Sequence, residues 1–174
     1  MGICGSYGLD SANGLMIELV LEQCTKLGAE VITWDNRANP LPFVGEDGCW
    51  DNENVKLYKD MANSADAFIL SSPEYHGTMS GVMKNSLDWL SFDQTTGKVF
   101  GLISTLGGQA NTTTLNHMRT SVRWIHGWVI PEQLVIANVK STFSEDGKIL
   151  DSALNDRVIK FSESLFNNTI KLCK

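Results

Sequence analysis

The amino-acid sequence predicts one α/β domain built on a doubly wound, five-stranded parallel sheet with the strand order 2-1-3-4-5. Short apolar runs alternate with amphipathic segments along the whole chain, and parallel neighbours need the helical crossovers that this alternation supplies. Right-handed crossovers with a single reversal of direction give the stated order. The chain shows no repeat, low-complexity stretch or linker, so we assign residues 1–174 to a single domain.

The first half of the chain supplies three predicted strands and two predicted helices. Short β-prone runs predict strands at residues 2–4, 29–34 and 66–72. Apolar residues at helical spacing predict helices at residues 13–27 and 53–64, with Gly28 as the C-cap of the first. Residues 35–51 form a long loop that contains Pro and Gly, and loops of this length in compact domains are often functional.

The second half continues the same alternation. Buried strands are predicted at residues 98–104 and 133–139, and helices at residues 82–92, 112–125 and 152–172. In the predicted order, the second strand is added on one side of the first strand and the third strand on the other side. The loops that follow the first and third strands, residues 5–13 and 72–81, should therefore meet. The loop after the fourth strand, residues 105–111, should flank them.

The loop after the first strand has the features of an anion site. It offers the hydroxyls of Ser6 and Ser11, the amide of Asn13, and backbone N–H groups at a helix N-terminus. Unpaired N–H groups and the helix dipole, about +0.5 charge, both favour a phosphate there. The alternative is that Ser11 and Asn13 only cap the helix. A cap explains one such residue but not the whole set, although Asp10 places a carboxylate beside the proposed dianion.

The loop after the third strand exposes much of its backbone. Residues 71–81 read S-S-P-E-Y-H-G-T-M-S-G, with small residues, one Pro, two Gly and the single aromatic Tyr75. Such loops at the carboxyl ends of strands are where α/β sheets bind ligands. Backbone N–H groups together with Tyr75 suit a flat aromatic ligand with polar edges, which indicates a flavin.

Composition excludes several classes of function. A net charge of −6 and a pI near 5.0 oppose nucleic-acid binding, which needs a clustered positive face. No apolar run approaches the ~18 residues of a membrane span, and the first residues lack the features of a signal peptide, so a cytoplasmic protein is expected. The cysteines have no metal-ligand spacing, and no metal site is expected.

Two motifs carry a resemblance to a known family. The chain resembles the NAD(P)H-dependent FMN reductases, flavodoxin-like proteins that include quinone, azo-dye and chromate reductases. Their phosphate loop reads G-S-x-R-x-x-S-x-N, and their ring loop reads P-E-Y-N, followed by a Gly and K-N-x-x-D-W. The matching residues are Gly5, Ser6, Ser11, Asn13, Pro73, Glu74, Tyr75, Gly81, Lys84, Asn85, Asp88 and Trp89, with Asp35, Pro40, Leu41 and Pro42 for a D-x-x-x-x-P-L-P segment.

The resemblance implies an FMN enzyme that takes hydride from NADPH or NADH by a ping-pong reaction and reduces a flavin, quinone, azo compound or metal oxyanion. No side chain need act as nucleophile or general acid, because FMN carries the chemistry. A homodimer or homotetramer is expected by analogy. The residues implied to bind FMN are Ser6, Ser11, Ala12 and Asn13 at the phosphate, Pro73, Glu74, Tyr75, His76 and Gly77 at the ring, and Thr105, Gly107, Gly108 and Gln109 at the pyrimidine edge.

Two positions depart from the family pattern. Gly8 stands in place of an Arg that helps to hold the phosphate, which predicts FMN binding weaker by ~1.5–3 kcal/mol if nothing replaces that contact. His76 stands where Asn is commoner, so we expect a ligand contact through its backbone N–H.

Several side chains keep two interpretations. Glu74 either holds the backbone of its loop or acts as a catalytic acid. Trp50 in the long loop covers either the flavin or a partner subunit. Trp124 and Trp128 are expected in the core or at a dimer contact.

Two other classes of protein share parts of this pattern. A flavodoxin-type nonenzymatic electron carrier is the main alternative, although its phosphate loop is rich in Thr around a Gly and residues 5–13 are not. A small phosphatase with a Cys-x5-Arg-Ser loop would use Cys4 and Ser11. Asp10 occupies its Arg position, which leaves the phosphate and the transition-state charge unsupported.

Overall fold

The computed structural model describes residues 1–108 and 112–173. Its strands are β1 (Gly2–Cys4), β2 (Thr33–Trp34), β3 (Ala67–Tyr75), β4 (Thr78–Met79), β5 (Val99–Thr105) and β6 (Trp128–Ile136). Five of these run parallel in the order β2-β1-β3-β5-β6, and β4 pairs antiparallel with β3. The doubly wound order that the sequence predicts is therefore confirmed. β2 lies on one side of β1 and β3 on the other, so the switch point of the sheet lies between β1 and β3.

Helices cover both faces of the sheet. Within the described ranges they are α1 (Ala12–Lys26), α2 (Glu53–Ser64), α3 (Gly81–Asp88), α4 (Phe92–Thr95), α5 (Thr113–Trp124) and α6 (Ser152–Leu172). The pair α1 and α6 packs on one face of the sheet, while α2, α3 and α5 pack on the other. Successive side chains of β3 point to opposite faces of the sheet. Phe68 and Leu70 pack towards α2, α3 and α5, whereas Ile69 packs towards α1 and α6. None of these helices is long and apolar enough to cross a membrane.

The second strand and the third helix are shorter than predicted. β2 covers two residues rather than 29–34, because it pairs with only two residues of β1. The predicted helix 82–92 is divided, since α3 ends at Asp88 and Ser91 then begins α4 with a capping box. The other helices lie within one residue of their predicted bounds.

Two parallel strands also differ in extent. β6 begins at Trp128 rather than at residue 133 and ends before residue 139. Its pairing with β5 is irregular around Pro131, which has no N–H to donate to a neighbouring strand. β3 was expected to end at residue 72 but continues to Tyr75, because β4 pairs with its last two residues. The sequence did not predict this hairpin, which forms part of the site described below.

The packing of α6 on the sheet generates a stability prediction. A Cβ atom at Gly101 of β5 would lie 2.5 Å from Cζ of the buried Phe161 ring. We predict that Gly101→Ala lowers the free energy of unfolding by about 1–3 kcal/mol, because the ring must shift within a close-packed core. Gly81→Ala is the control, since a Cβ there meets nothing within 4 Å. Urea denaturation followed by circular dichroism measures both variants, and equal stability would contradict this packing.

Candidate functional site

The carboxyl ends of β1 and β3 lie side by side, and hydrogen bonds join the loops that follow them. The Gly5 N–H donates to Ser71 O over 2.7 Å. The Ser80 hydroxyl donates to Gly5 O over 2.5 Å. The structure thus brings together the two loops that the strand order predicts to meet.

The loop after β1 ends in a capped helix with free donors. Ser11 is the N-cap of α1, and its Oγ accepts the Gly14 N–H over 3.2 Å and donates to Gly8 O over 3.0 Å. The Ser11 side chain therefore serves the cap, as the alternative interpretation held. Within the described chain the N–H groups of Ala12 and Asn13 have no acceptor. They lie at the positive end of the helix dipole, where an anion binds.

The Asn13 side chain is buried, and its amide oxygen and amide nitrogen each have a partner inside the protein. Its Oδ1 accepts from Ser71 Oγ over 2.9 Å, and its Nδ2 donates to Ser6 Oγ over 3.0 Å. The amide is consequently not presented to a ligand. Because Nδ2 donates to the Ser6 oxygen, the Ser6 hydroxyl proton is directed away from the amide. Asn13 thus positions Ser6 and leaves only its own backbone N–H for an anion.

Two buried serines link β3 to α3. Ser72 Oγ accepts the Ser80 N–H over 3.1 Å and donates to Pro73 O over 2.9 Å. Ser80 is the N-cap of α3, and its Oγ accepts the Met83 N–H over 3.0 Å. A Cβ at the adjoining Gly5 would lie 3.0 Å from both Met83 Cβ and Ser72 Cα, so glycine suits the close approach at this junction.

β3 and β4 are joined by a two-residue turn. His76 has a φ of 52° and Gly77 a φ of 79°, and positive φ at both central residues is what a type I′ turn requires. Glycine adopts this conformation freely, whereas among other residues Asn is favoured. The turn leaves the adjacent Tyr75 side chain 59% exposed.

α5 contacts this hairpin through two side-chain pairs. Thr114 Oγ1 donates to Glu74 Oε2 over 3.0 Å, and His117 Nδ1 lies 2.8 Å from Thr78 Oγ1. Glu74 therefore attaches the hairpin to α5, which favours its structural interpretation over a catalytic one. Neither contact is predicted from the sequence, because one sequence does not tell which turn of α5 meets the hairpin.

The loop after β5 completes the edge. Thr105 is buried at the end of β5, and carbonyl groups of the loop accept N–H groups from the segment after β6. A Cβ at Gly107 or Gly108 would meet nothing within 4 Å, so the backbone there is open to a ligand. Gln109 lies outside the described residues.

The loop after β2 contributes a cation that the sequence did not indicate. Arg37 Nη1 and Nη2 donate to the two carboxylate oxygens of Asp10 over 3.1 and 2.9 Å. These hydrogen bonds, together with the charge of Arg37, lower the pKa of the Asp10 carboxyl. A Cβ at Gly8 would lie 2.3 Å from Arg37 Nη2. The guanidinium therefore occupies the space above Gly8, and the carboxylate expected to oppose a phosphate is neutralised.

Neighbouring residues hold the backbone of Arg37 in place. Asn36 is buried, with its Oδ1 accepting from Trp34 Nε1 and its Nδ2 donating to Cys4 O, both over 3.1 Å. Asp35 Oδ1 accepts the Arg37 N–H over 2.8 Å. The segment after β2 is thereby attached to the carboxyl end of β1.

The long loop of residues 35–51 packs on α3. Asn85 Nδ2 and Trp89 Nε1 donate to Pro42 O over 3.3 and 2.8 Å. Trp50 packs edge-on against Trp89 with ring centroids 5.4 Å apart, yet it remains 66% exposed. The motif residues Asn85 and Trp89 therefore anchor this loop.

The phosphatase alternative fails at its nucleophile. Cys4 is buried, and burial raises the pKa of its thiol, whereas reactive cysteines have a lowered pKa. Asp10, at the position that needs a free cation, is paired with Arg37. In the described ranges no group of three His, Cys, Asp or Glu side chains is placed to hold a metal ion.

The residues present fit FMN. Free N–H groups and the Ser6 hydroxyl suit a phosphate at one end of the edge, while the exposed Tyr75 and the open backbone at Gly107 and Gly108 suit a flat ring at the other. The fold and the site together define a flavodoxin-like flavin-binding protein.

Comparison with known proteins specifies the family. The sequence profile of the NADPH-dependent FMN reductases matches residues 1–141, and the chain belongs to this family. An FMN-dependent NADPH-azoreductase of Staphylococcus aureus (strain USA300) is 36% identical in an alignment of length 173, and the match covers 97% of this chain and 90% of the relative. The chain is therefore an oxidoreductase that uses FMN with NADPH as reductant, rather than a nonenzymatic electron carrier.

Solved structures share the fold. FerB, a flavoenzyme NAD(P)H:(acceptor) oxidoreductase from Paracoccus denitrificans, has a TM-score of 0.78 at 20% identity, covering 98% of this chain and 96% of that chain. An oxidoreductase from Corynebacterium diphtheriae has a TM-score of 0.78 at 15% identity, covering 98% and 95%. A flavodoxin from the domain Archaea has a TM-score of 0.64 at 14% identity, covering 94% and 96%. At these identities the likeness shows the fold alone.

The hairpin turn generates a second stability prediction. We expect His76→Asn to raise the free energy of unfolding by about 0.5–1 kcal/mol, because Asn adopts positive φ more readily than His. Gly77→Ala, at a φ of 79°, should lower it by about 1–2 kcal/mol. Thermal denaturation measures both variants. A His76→Asn variant less stable than the parent would contradict the turn assignment.

Proposed function

We propose that this chain binds FMN across its three loops and transfers electrons from NADPH to a small-molecule acceptor in two separate half-reactions. The observation that carries the proposal is the junction at Gly5. There the Gly5 N–H donates to Ser71 O and the Ser80 hydroxyl donates to Gly5 O, which holds the loop after β1 against the loop after β3. The backbone N–H groups that suit an anion lie on one side of this junction, and the exposed Tyr75 lies on the other.

The phosphate end uses mainly backbone groups. The N–H groups of Ala12 and Asn13 and the hydroxyl of Ser6 donate to the phosphate, with the dipole of α1 adding to the attraction. Ser11 acts on the phosphate indirectly, because its side chain caps the helix and fixes the turn at Gly8. The buried amide of Asn13 has the same indirect role through Ser6.

The ring end uses the hairpin. Pro73, Tyr75 and the backbone of His76 and Gly77 line one side of the isoalloxazine, while Thr105, Gly107 and Gly108 face its pyrimidine edge. Held by these residues, FMN would supply the redox chemistry, which is uptake of a hydride from NADPH and transfer of two electrons to the acceptor. The chain contributes placement rather than proton transfer, since the Glu74 carboxylate is already engaged by Thr114.

The acceptor we propose is an azo compound, with quinones and free flavin as further acceptors. An azoreductase at 36% identity, 90% of whose length is matched, supports this class. One azo bond takes four electrons on the way to two amines, so each bond consumes two NADPH molecules and takes its remaining protons from water. NADPH and the acceptor bind in turn at the same open face of the flavin ring, so NADP must leave before the acceptor binds.

We also propose that the chain works as a homodimer or homotetramer in the cytoplasm. Trp124 and Trp128 are 76% and 60% exposed, so their expected place in the core is wrong. Large exposed aromatic side chains are typical of interfaces, which supports the dimer-contact interpretation.

Steady-state kinetics with two substrates test the proposed function. With NADPH varied at several fixed concentrations of methyl red, we expect parallel double-reciprocal lines, because NADP leaves before the dye binds. A second series replaces methyl red with menadione. Intersecting double-reciprocal lines would contradict alternate binding of NADPH and the acceptor at one face of the flavin. An enzyme that oxidises NADPH but reduces none of these acceptors would contradict the proposed acceptor class.

Variants of the hairpin separate placement from acid–base chemistry. Tyr75→Ala should slow reduction by NADPH at saturating FMN by about tenfold, because it removes a wall of the ring site, whereas Tyr75→Phe should not. His76→Ala should have a smaller effect, since the proposed contact comes from its backbone. Stopped-flow mixing with NADPH across about pH 5.5 to 9 measures each rate.

The Glu74→Gln variant completes this series. Its rate of reduction should depend on pH as the parent's does, since no protein proton enters that half-reaction. Loss of a titrating limb in Glu74→Gln, or abolished reduction in His76→Ala with Tyr75→Ala intact, would require a side-chain acid.

A further inference from the structure

The loop after β1 carries a negative charge, which opposes the binding of an anion there. It contains the carboxylate of Asp10, and the first basic residue along the chain is Lys26, at the far end of α1. The whole chain carries a net charge of −6. A dianionic phosphate placed at this loop is therefore repelled unless another part of the fold supplies a cation.

Arg37 supplies that cation from the loop after β2. Two of its N–H groups engage both oxygens of Asp10, which leaves further donors of the planar guanidinium unused by this pair. Glycine at position 8 leaves room for this approach, since a Cβ there would lie 2.3 Å from Nη2 and 2.7 Å from Asp10 Oδ1. Asn36, buried between Trp34 and Cys4, fixes where the Arg37 side chain begins.

We propose that Arg37 is a positioning residue for the FMN phosphate, which it serves by neutralising Asp10. The inference rests on the proposed phosphate site. Without Arg37, the Asp10 carboxylate opposes a phosphate but leaves an uncharged ring unaffected. The effect of Arg37 is therefore confined to flavins that carry a phosphate, and it depends on the presence of Asp10.

Titration of the apoprotein with FMN and with riboflavin, which lacks the phosphate, tests both features. Quenching of flavin fluorescence gives the affinity without NADPH or an acceptor. The variants are Arg37→Gln, Asp10→Asn and the double substitution. Lys26→Gln is the matched control, since it removes one positive charge from another exposed ion pair, with Glu22 at 2.7 Å. Exposed pairs contribute little to stability, and circular dichroism checks the fold of each variant.

We expect Arg37→Gln to weaken FMN binding by about tenfold and riboflavin binding by less than about twofold. The double variant should bind FMN within about threefold of the parent, because the opposing carboxylate is gone as well. Asp10→Asn alone should bind FMN as tightly as the parent or more tightly. The Lys26→Gln control should bind both flavins as the parent does.

Four results would overturn the inference. A double variant as weak as Arg37→Gln would mean that Arg37 acts on the phosphate directly and not through Asp10. Equal weakening of FMN and riboflavin would mean a structural role. Unchanged FMN affinity in Arg37→Gln, with a parent that prefers FMN to riboflavin, would overturn this inference alone. A parent with no preference between the two flavins would overturn the phosphate site and this inference together.

Discussion

Buried hydroxyl groups at the switch point of the sheet hold the loops after β1 and β3 together. Ser71 binds the Asn13 amide through its hydroxyl and the Gly5 N–H through its carbonyl. Ser80 binds Gly5 O and caps α3. A buried polar group left without its partner costs about 1–3 kcal/mol, so movement of one loop disrupts the bonds of its neighbours. The relative position of the loops after β1 and β3 follows from this network.

The network divides the polar residues into those that build the site and those that face a ligand. The side chains of Ser11, Asn13 and Glu74 form hydrogen bonds within the protein. At these family motif positions the side chain therefore shapes the loops more than it contacts a ligand. The groups that remain for a ligand are mainly backbone N–H groups, with Ser6 and Tyr75 beside them. Such an arrangement suits an enzyme whose cofactor carries the reaction, because placement is then the main task of the protein.

Helical spacing of apolar residues predicted the helices, and the alternation of strands with helices predicted the strand order, because parallel neighbours need helical crossovers. What these patterns missed depends on contacts between distant residues. The hairpin requires His76 at positive φ, which its residue type disfavours, and only pairing with β4 reveals it. The ion pair of Asp10 with Arg37 joins two separate loops, 27 residues apart in sequence. Gly8, which the sequence presents as a missing cation, leaves the space that this guanidinium occupies.

Amide hydrogen exchange on the apoprotein, followed by NMR before and after FMN is added, tests most directly whether the network forms the site in advance. The account predicts that the Gly5 and Met83 N–H groups, which have buried acceptors, are already protected without FMN. The Ala12 and Asn13 N–H groups, which have none among the described residues, should exchange quickly and gain protection only when FMN binds. If Gly5 and Met83 instead exchanged as fast as Ala12 in the apoprotein and slowed only with FMN, the cofactor would be assembling the loops, and the account would be contradicted.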